Sequence, residues 1–387
     1  MYILTNIVYN LYFHPLRHFP GPRTHAATSL AWGFSMLRGT LPLDIHAHHE
    51  TYGPVFRVRP NELAFADAPA WQDVYGHKVL GKKAGLAPGA KELPKHLLFY
   101  KSYPGQPDTI VTADYELHAK WRRTMATGFS DKSLRAQEPL VTRYVDLLIA
   151  RLRERSGEAL DIVQWYNWTT FDVIGDLAFG ESFGCLENAR YHPFVSIICS
   201  SVKQASRLIF LRYMGLQTLS LALLFALMRK AFKLRGYGTK TLEKRLASGS
   251  ERSDLIQPLI ESSEKGEIPF GSLGAMASSL LVAGSETTAS TMSGVTWLLL
   301  ANPEKLAKLA AEVRGAFSDE SEIDFTSTQG LVYLTACLNE GLRRYPAIAG
   351  GLPRVVPKGG ALISGNYVPE GVSSRVQSPL QGSSVIC

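Results

Sequence analysis

Residues 273–300, LGAMASSLLVAGSETTASTMSGVTWLLL, decide how this chain is read. They hold one charged residue, Glu286. A run this long and apolar passes for a transmembrane helix. The hydroxyls of Ser278, Ser279, Ser285, Thr287, Thr288, Ser290, Thr291, Ser293 and Thr296 argue against that reading. Leu273, Met276, Ala277, Leu280, Leu281 and Gly284 fall at i, i+3, i+4, i+7, i+8 and i+11. The pattern predicts a long central helix of a soluble core, about 40 Å at the usual rise per residue. Asn302-Pro303 ends it, because the residue before a proline avoids helical geometry.

Inside this helix, Ala283-Gly284-Ser285-Glu286-Thr287-Thr288 places an acid and alcohols side by side. Burying a carboxylate without partners is costly. A hydroxyl in mid-helix can bond back to a carbonyl one turn earlier, and Gly284 removes side-chain bulk. The expected result is a locally opened groove suited to delivering a proton to a small bound ligand such as O₂. Taken alone, the hexapeptide reads first as a core helix with a solvated glutamate and small residues for close packing, since short motifs recur by chance.

Downstream, a helix is predicted over 304–317 and another over 331–345, stopped by Pro346. In the second, Glu340 and Arg343 lie three apart and share a face, so they can pair. Glu-x-x-Arg is weak alone; its context is Arg344-Tyr345-Pro346 immediately after and Pro353-Arg354 shortly beyond. Residues 353–356 and 360–367 read as short strands, and 373–387 carries no periodicity.

Upstream, residues 1–13 are apolar and uncharged, too short to cross a bilayer as a helix, and read as an anchor remnant or an interfacial segment. His14 to Pro22 form a proline-punctuated hinge. A helix over 43–52 precedes two strand-like runs, 55–58 and 63–66, joined by Pro60-Asn61 as a hairpin. Residues 76–111 read as a long loop. Helices follow over 115–127 with Asp114 as N-cap, 134–155, 162–179, 193–213 and 216–228. The last is followed by Arg229, Lys230, Lys233 and Arg235, a pattern that suits a membrane surface or, equally, a core helix with a solvated tail.

The chain has 387 residues, 45% of them hydrophobic and 19% charged, the balance of an ordinary globular protein. Its net charge is +7. No compact basic block with interleaved aromatics occurs, so nucleic acid is not the expected partner. The four cysteines, Cys185, Cys199, Cys337 and Cys387, form no C-x-x-C pair, which points to a reduced, intracellular chain.

Three motifs in order now carry a resemblance: Phe19-Pro20-Gly21-Pro22, Ala283 to Thr288, and Asn339-Glu340-Gly341-Leu342-Arg343-Arg344-Tyr345-Pro346. With them the chain resembles the cytochrome P450 family of haem-thiolate monooxygenases, fungal members especially, from about residue 14 to about 371. The resemblance implies a mainly α fold with small β-sheets, incomplete at the C-terminus, divided as 1–13 (apolar segment), 14–371 (P450-like domain) and 372–387 (a tail unlike the family). It implies that Glu286 and Thr287, with Thr288, assist proton transfer. His118, Arg122 and Arg354 would contact haem propionates, and Glu340 and Arg343 would hold the core beside the haem. It also implies a haem b cofactor, a NADPH-dependent P450 reductase, a lipophilic substrate of fungal secondary metabolism, and the cytoplasmic face of the endoplasmic reticulum membrane. Family members reach an F-x-x-G-x-R-x-C-x-G loop whose thiolate ligates the iron. Here 47 residues follow Glu340 and none forms that loop, so no metal-ligating cysteine is assigned. The expectation is a chain that is inactive as written; the alternative is a non-catalytic protein that binds a lipophile or a partner.

Overall fold

A computed structural model describes residues 1–76, 92–101, 103–247 and 254–377. Part of the loop expected over 76–111, and the end of the chain with Cys387, lie outside the described residues. The N-terminal part runs through α1 (Tyr2–Val8), a π-helical turn, α2 (Arg23–Ala27), α3 (Leu30–Arg38) and α4 (Leu41–Tyr52) into the expected hairpin, β1 (Val55–Arg59) and β2 (Glu62–Phe65). Then come α5 (Ala68–Tyr75) and, inside the stretch read as loop, the short α6 (Leu97–Tyr100). Helices dominate from α7 (Tyr115–Ala126), whose N-cap Asp114 accepts a hydrogen bond from the Leu117 amide at 3.0 Å.

The helical body continues through α8 (Asp131–Glu154), α9 (Ile162–Phe179), α10 (Cys185–Asn188), α11 (Pro193–Tyr213), α12 (Gln217–Ala247), α13 (Gln257–Glu264), α14 (Phe270–Leu300), α15 (Pro303–Ala316) and α16 (Val332–Arg344). One correction concerns α12. It runs on past residue 228, so the basic residues after that point extend the helix instead of ending it.

The main core forms where α14 lies along α9. Trp165, Trp168, Phe171, Ile174 and Leu177 of α9 meet Leu273, Met276, Leu280 and Leu281 of α14 in one buried cluster. The apolar positions singled out in the sequence, Leu273, Met276, Ala277, Leu280 and Leu281, are all buried. Gly284 has a packing reason: a Cβ there would stand 2.8 Å from Ile174 Cδ1. The expected local opening at this glycine is therefore corrected, because α14 is continuous helix and the glycine lets α9 come close.

The C-terminal strands differ most from expectation. Residues 360–367, read as one strand, fold into the hairpin β4 (Ala361–Ile363) and β5 (Asn366–Val368). Ser364 and Gly365 turn the chain between them at φ +48° and +74°. The stretch read as an aperiodic tail begins with β6 (Ser373–Val376), which pairs parallel to β2 and antiparallel to β3 (Arg354–Val355). The sheet order is β1-β2-β6-β3. All four residues of β6 are buried, so no alternation marks it in sequence. Its Arg375 is neutralised underneath: Arg375 and Arg59 both hydrogen-bond the fully buried Glu62. Burial opposes charge on Glu62, but the two guanidiniums override it and hold the carboxyl at about 2.

Candidate active site

The hydroxyl-rich face of α14 satisfies itself. Ser285 donates to Leu281 O at 2.6 Å, Thr287 to Ala283 O at 2.6 Å, Thr291 to Thr287 O at 2.9 Å and Ser293 to Ala289 O at 2.7 Å. This is the back-bonding that lets alcohols sit in an apolar helix. The Thr287 hydrogen is committed to its own helix, and its oxygen keeps lone pairs for an incoming donor. Thr288 is exposed. Glu286 is half-buried, with the Cys199 thiol of α11 within electrostatic reach.

Glu340 and Arg343 pair as their spacing predicts. The guanidinium grips both carboxylate oxygens, at 2.7 and 2.5 Å, and holds the Glu340 carboxyl below its usual range. Glycines bring α16 against α14. A Cβ on Gly341 would stand 2.3 Å from Val295 Cγ2, and one on Gly294 would stand 2.5 Å from the Tyr345 ring.

The three expected propionate contacts are placed differently. His118 is half-buried on α7, and Arg122, one turn on, is exposed. Arg354 donates to Leu93 O at 3.2 Å and pairs with Glu92 at 3.6 Å, while its Nε is buried with no protein partner. A residue that sequence reasoning missed joins Arg354 to α7. Lys95 bridges to Arg354 through the backbone and donates its ammonium to Ala113 O, just before α7, at 2.7 Å. Burial, with Arg354 nearby, lowers its amine to about 8. Lys95 sits in an irregular segment without periodicity, so no sequence signal marked it.

The donor set can be tested against haem. The orphan Nε of Arg354 is suited to an anion such as a propionate. The thiols are not suited to iron. Burial pushes Cys185 up to about 12, and its sulfur accepts from the His192 amide. Burial, with the Glu286 carboxylate nearby, pushes Cys199 up to about 12. Burial also raises the Cys337 thiol on α16. An iron ligand must be a thiolate, and burial disfavours that form at all three described thiols. The described residues do not supply the axial donor.

Comparison with known proteins follows this geometry. The profile of the family "Cytochrome P450" matches residues 20–378. The chain is 45% identical over 372 residues to a cytochrome P450 monooxygenase of Talaromyces stipitatus, covering 96% of this chain and 72% of the relative. It is 40% identical to the averantin hydroxylase of Dothistroma septosporum, covering 97% of this chain and 70% of the relative. It is also 40% identical to the trichothecene C-15 hydroxylase of Fusarium sporotrichioides, covering 95% and 74%.

Proposed function

The chain belongs to the cytochrome P450 family, and on that premise we propose that its scaffold serves the oxidation of a lipophilic secondary metabolite by O₂. Haem, which the family implies, would supply the oxygen chemistry. The residues of this chain would supply the surroundings. Glu286 would relay a proton at the edge of α14, beside Thr287, whose hydroxyl donates to Ala283 O. Electrons would come from a NADPH-dependent reductase.

The membrane surface is the proposed location. Tyr2, Ile3, Leu4, Tyr12 and Phe13 stand exposed at the N-terminus, and Leu30, Phe34, Leu216, Leu219 and Phe225 add apolar surface on α3 and the α11–α12 corner. α11 is also long and apolar enough to cross a membrane by length and composition.

The observation that carries the second half of the proposal is the state of the thiols. Burial disfavours the thiolate at each described cysteine. We therefore propose that the described cysteines do not sustain thiolate-ligated oxidation. The test is turnover. The purified chain is mixed with haemin, reductase and NADPH and offered a panel of lipophilic aromatic compounds. The expected result is no oxygenated product above the haemin-only control, and sustained NADPH-dependent hydroxylation would overturn it.

A second reading, lipophile or partner binding without haem, is favoured by one feature. A cavity of about 540 Å³ opens between α14, α15 and α16, lined by Val295, Leu298, Leu299 and Ala336.

A further inference from the structure

The C-terminal end of α14 meets α15 and α16, and the three helices form the cavity of about 540 Å³. That volume falls within the range of about 300–1,000 Å³ typical of small-molecule sites. Val295, Leu298 and Leu299 give it an apolar wall along α14. Its charged lining is mostly of one sign. Lys305 and Lys308, three apart on α15, share a helix face. Arg343 and Arg344 end α16, and Glu340 is the one carboxylate in the lining.

The neighbouring carboxylates do not offset this excess at the wall. Both oxygens of Glu340 are gripped by Arg343. Glu312 of α15 accepts the amides of Tyr333 and Leu334, each at 2.8 Å, and so caps the start of α16. Glu304, beside Lys305, is exposed and lies outside the lining. Lys308 stands over the Tyr333 ring, 4.3 Å from its centroid, which holds its ammonium between α15 and α16. We propose that this cavity binds an amphipathic anion, its aliphatic chain against Leu298 and Leu299 and its carboxylate on Lys305 and Lys308. The proposal names the ligand of the second reading above, lipophile binding without haem, and rests on it.

The two parts of the site select together. An uncharged lipophile gains only the apolar wall. A carboxylate adds charge-assisted hydrogen bonds from the ammonium groups, which are stronger than neutral ones. A cationic amphiphile of the same length meets repulsion from the same lysines. Because the lysines are reached by solvent, salt screens the contribution of the head group and leaves that of the chain. The cavity also carries its own reporter. Cys337 lines it and is half-exposed, so a bound chain shields that thiol from a reagent.

The test is equilibrium dialysis of the chain, without haem, against radiolabelled laurate below its micellar concentration, with dodecanol and dodecyltrimethylammonium as controls. Laurate should bind saturably and more weakly as salt rises. Dodecanol should bind on the order of tenfold more weakly, and the cation more weakly still. The double variant Lys305→Gln/Lys308→Gln should bring laurate down to the dodecanol level and leave dodecanol unchanged. Ala336→Phe, which fills the cavity from α16, should weaken both. Laurate should also slow iodoacetamide labelling of Cys337 several-fold, read by peptide mass spectrometry at mildly alkaline pH, while Cys185 and Cys199 keep their rates. Equal affinity for laurate and dodecanol, untouched by the lysine variant, overturns the anionic ligand and leaves the lipophile reading standing. Binding of neither overturns both. Protection of every thiol, or of none, overturns the location. A dimer that Ala336→Phe dissociates and laurate does not would mean that a second copy covers the cavity, and that also overturns the proposal.

Discussion

The two ends of α14 have nearly the same apolar composition and opposite fates. Toward its N-terminal end, Leu273, Met276, Ala277 and Leu281 are completely buried against α9 and its neighbours. At its C-terminal end Trp297 and Leu300 stand 67% and 64% exposed, and α16 beside them shows Val332 at 78% and Leu342 at 48%. The same helix is thus a finished core at one end and a bare apolar surface at the other. Burial is decided by what packs on a face, and sequence hydrophobicity states only what that face can do.

Mutations measure this difference directly. The largest effect is expected for Leu281→Ala, which opens a cavity among α9 side chains; urea unfolding should show a loss of about 3 kcal/mol. A smaller cost, about 2 kcal/mol, is expected for Gly284→Ala, whose methyl meets Ile174. Combining it with Ile174→Val should recover part of that loss, and an additive double mutant would contradict the close approach of α9 to α14.

At the bare end the effects shrink. The Glu340 carboxyl is lowered by Arg343, so its stabilisation is complete above the ordinary glutamate range and is lost as pH falls through its depressed folded value. Both partners are partly exposed, so the contribution is below about 1 kcal/mol. Arg343→Gln should flatten the acid limb of the stability profile by that amount. The smallest change is expected for Leu300→Ser, within about 0.5 kcal/mol in unfolding, accompanied by weaker binding of a hydrophobic dye. A core-sized loss there would mean that the end of α14 is covered.

The contrast also explains what the sequence made legible. α9 and α11 were bounded correctly, and α14 nearly so, because each turns one apolar stripe to a neighbour and ends at a cap or a proline. The hairpin β1–β2 was visible through Pro60-Asn61. β6 was invisible because Ser373, Ser374 and Arg375 are polar residues buried between two strands, and the charge that makes this tolerable, Glu62, lies over three hundred residues away. At the site, Glu340–Arg343 could be read from helical spacing. The packing of Cys199 against the main core could not, since it depends on how α11 is seated. Lys95 was hidden for the same reason, in an irregular stretch whose contacts are all tertiary.

One spectrum tests the central claim, that the family scaffold is present while burial disfavours the thiolate at each described sulfur. The chain is loaded with haemin, reduced and exposed to carbon monoxide. The account predicts no thiolate-type Soret band, only that of haem free or nitrogen-ligated. A stoichiometric thiolate-type band would contradict it.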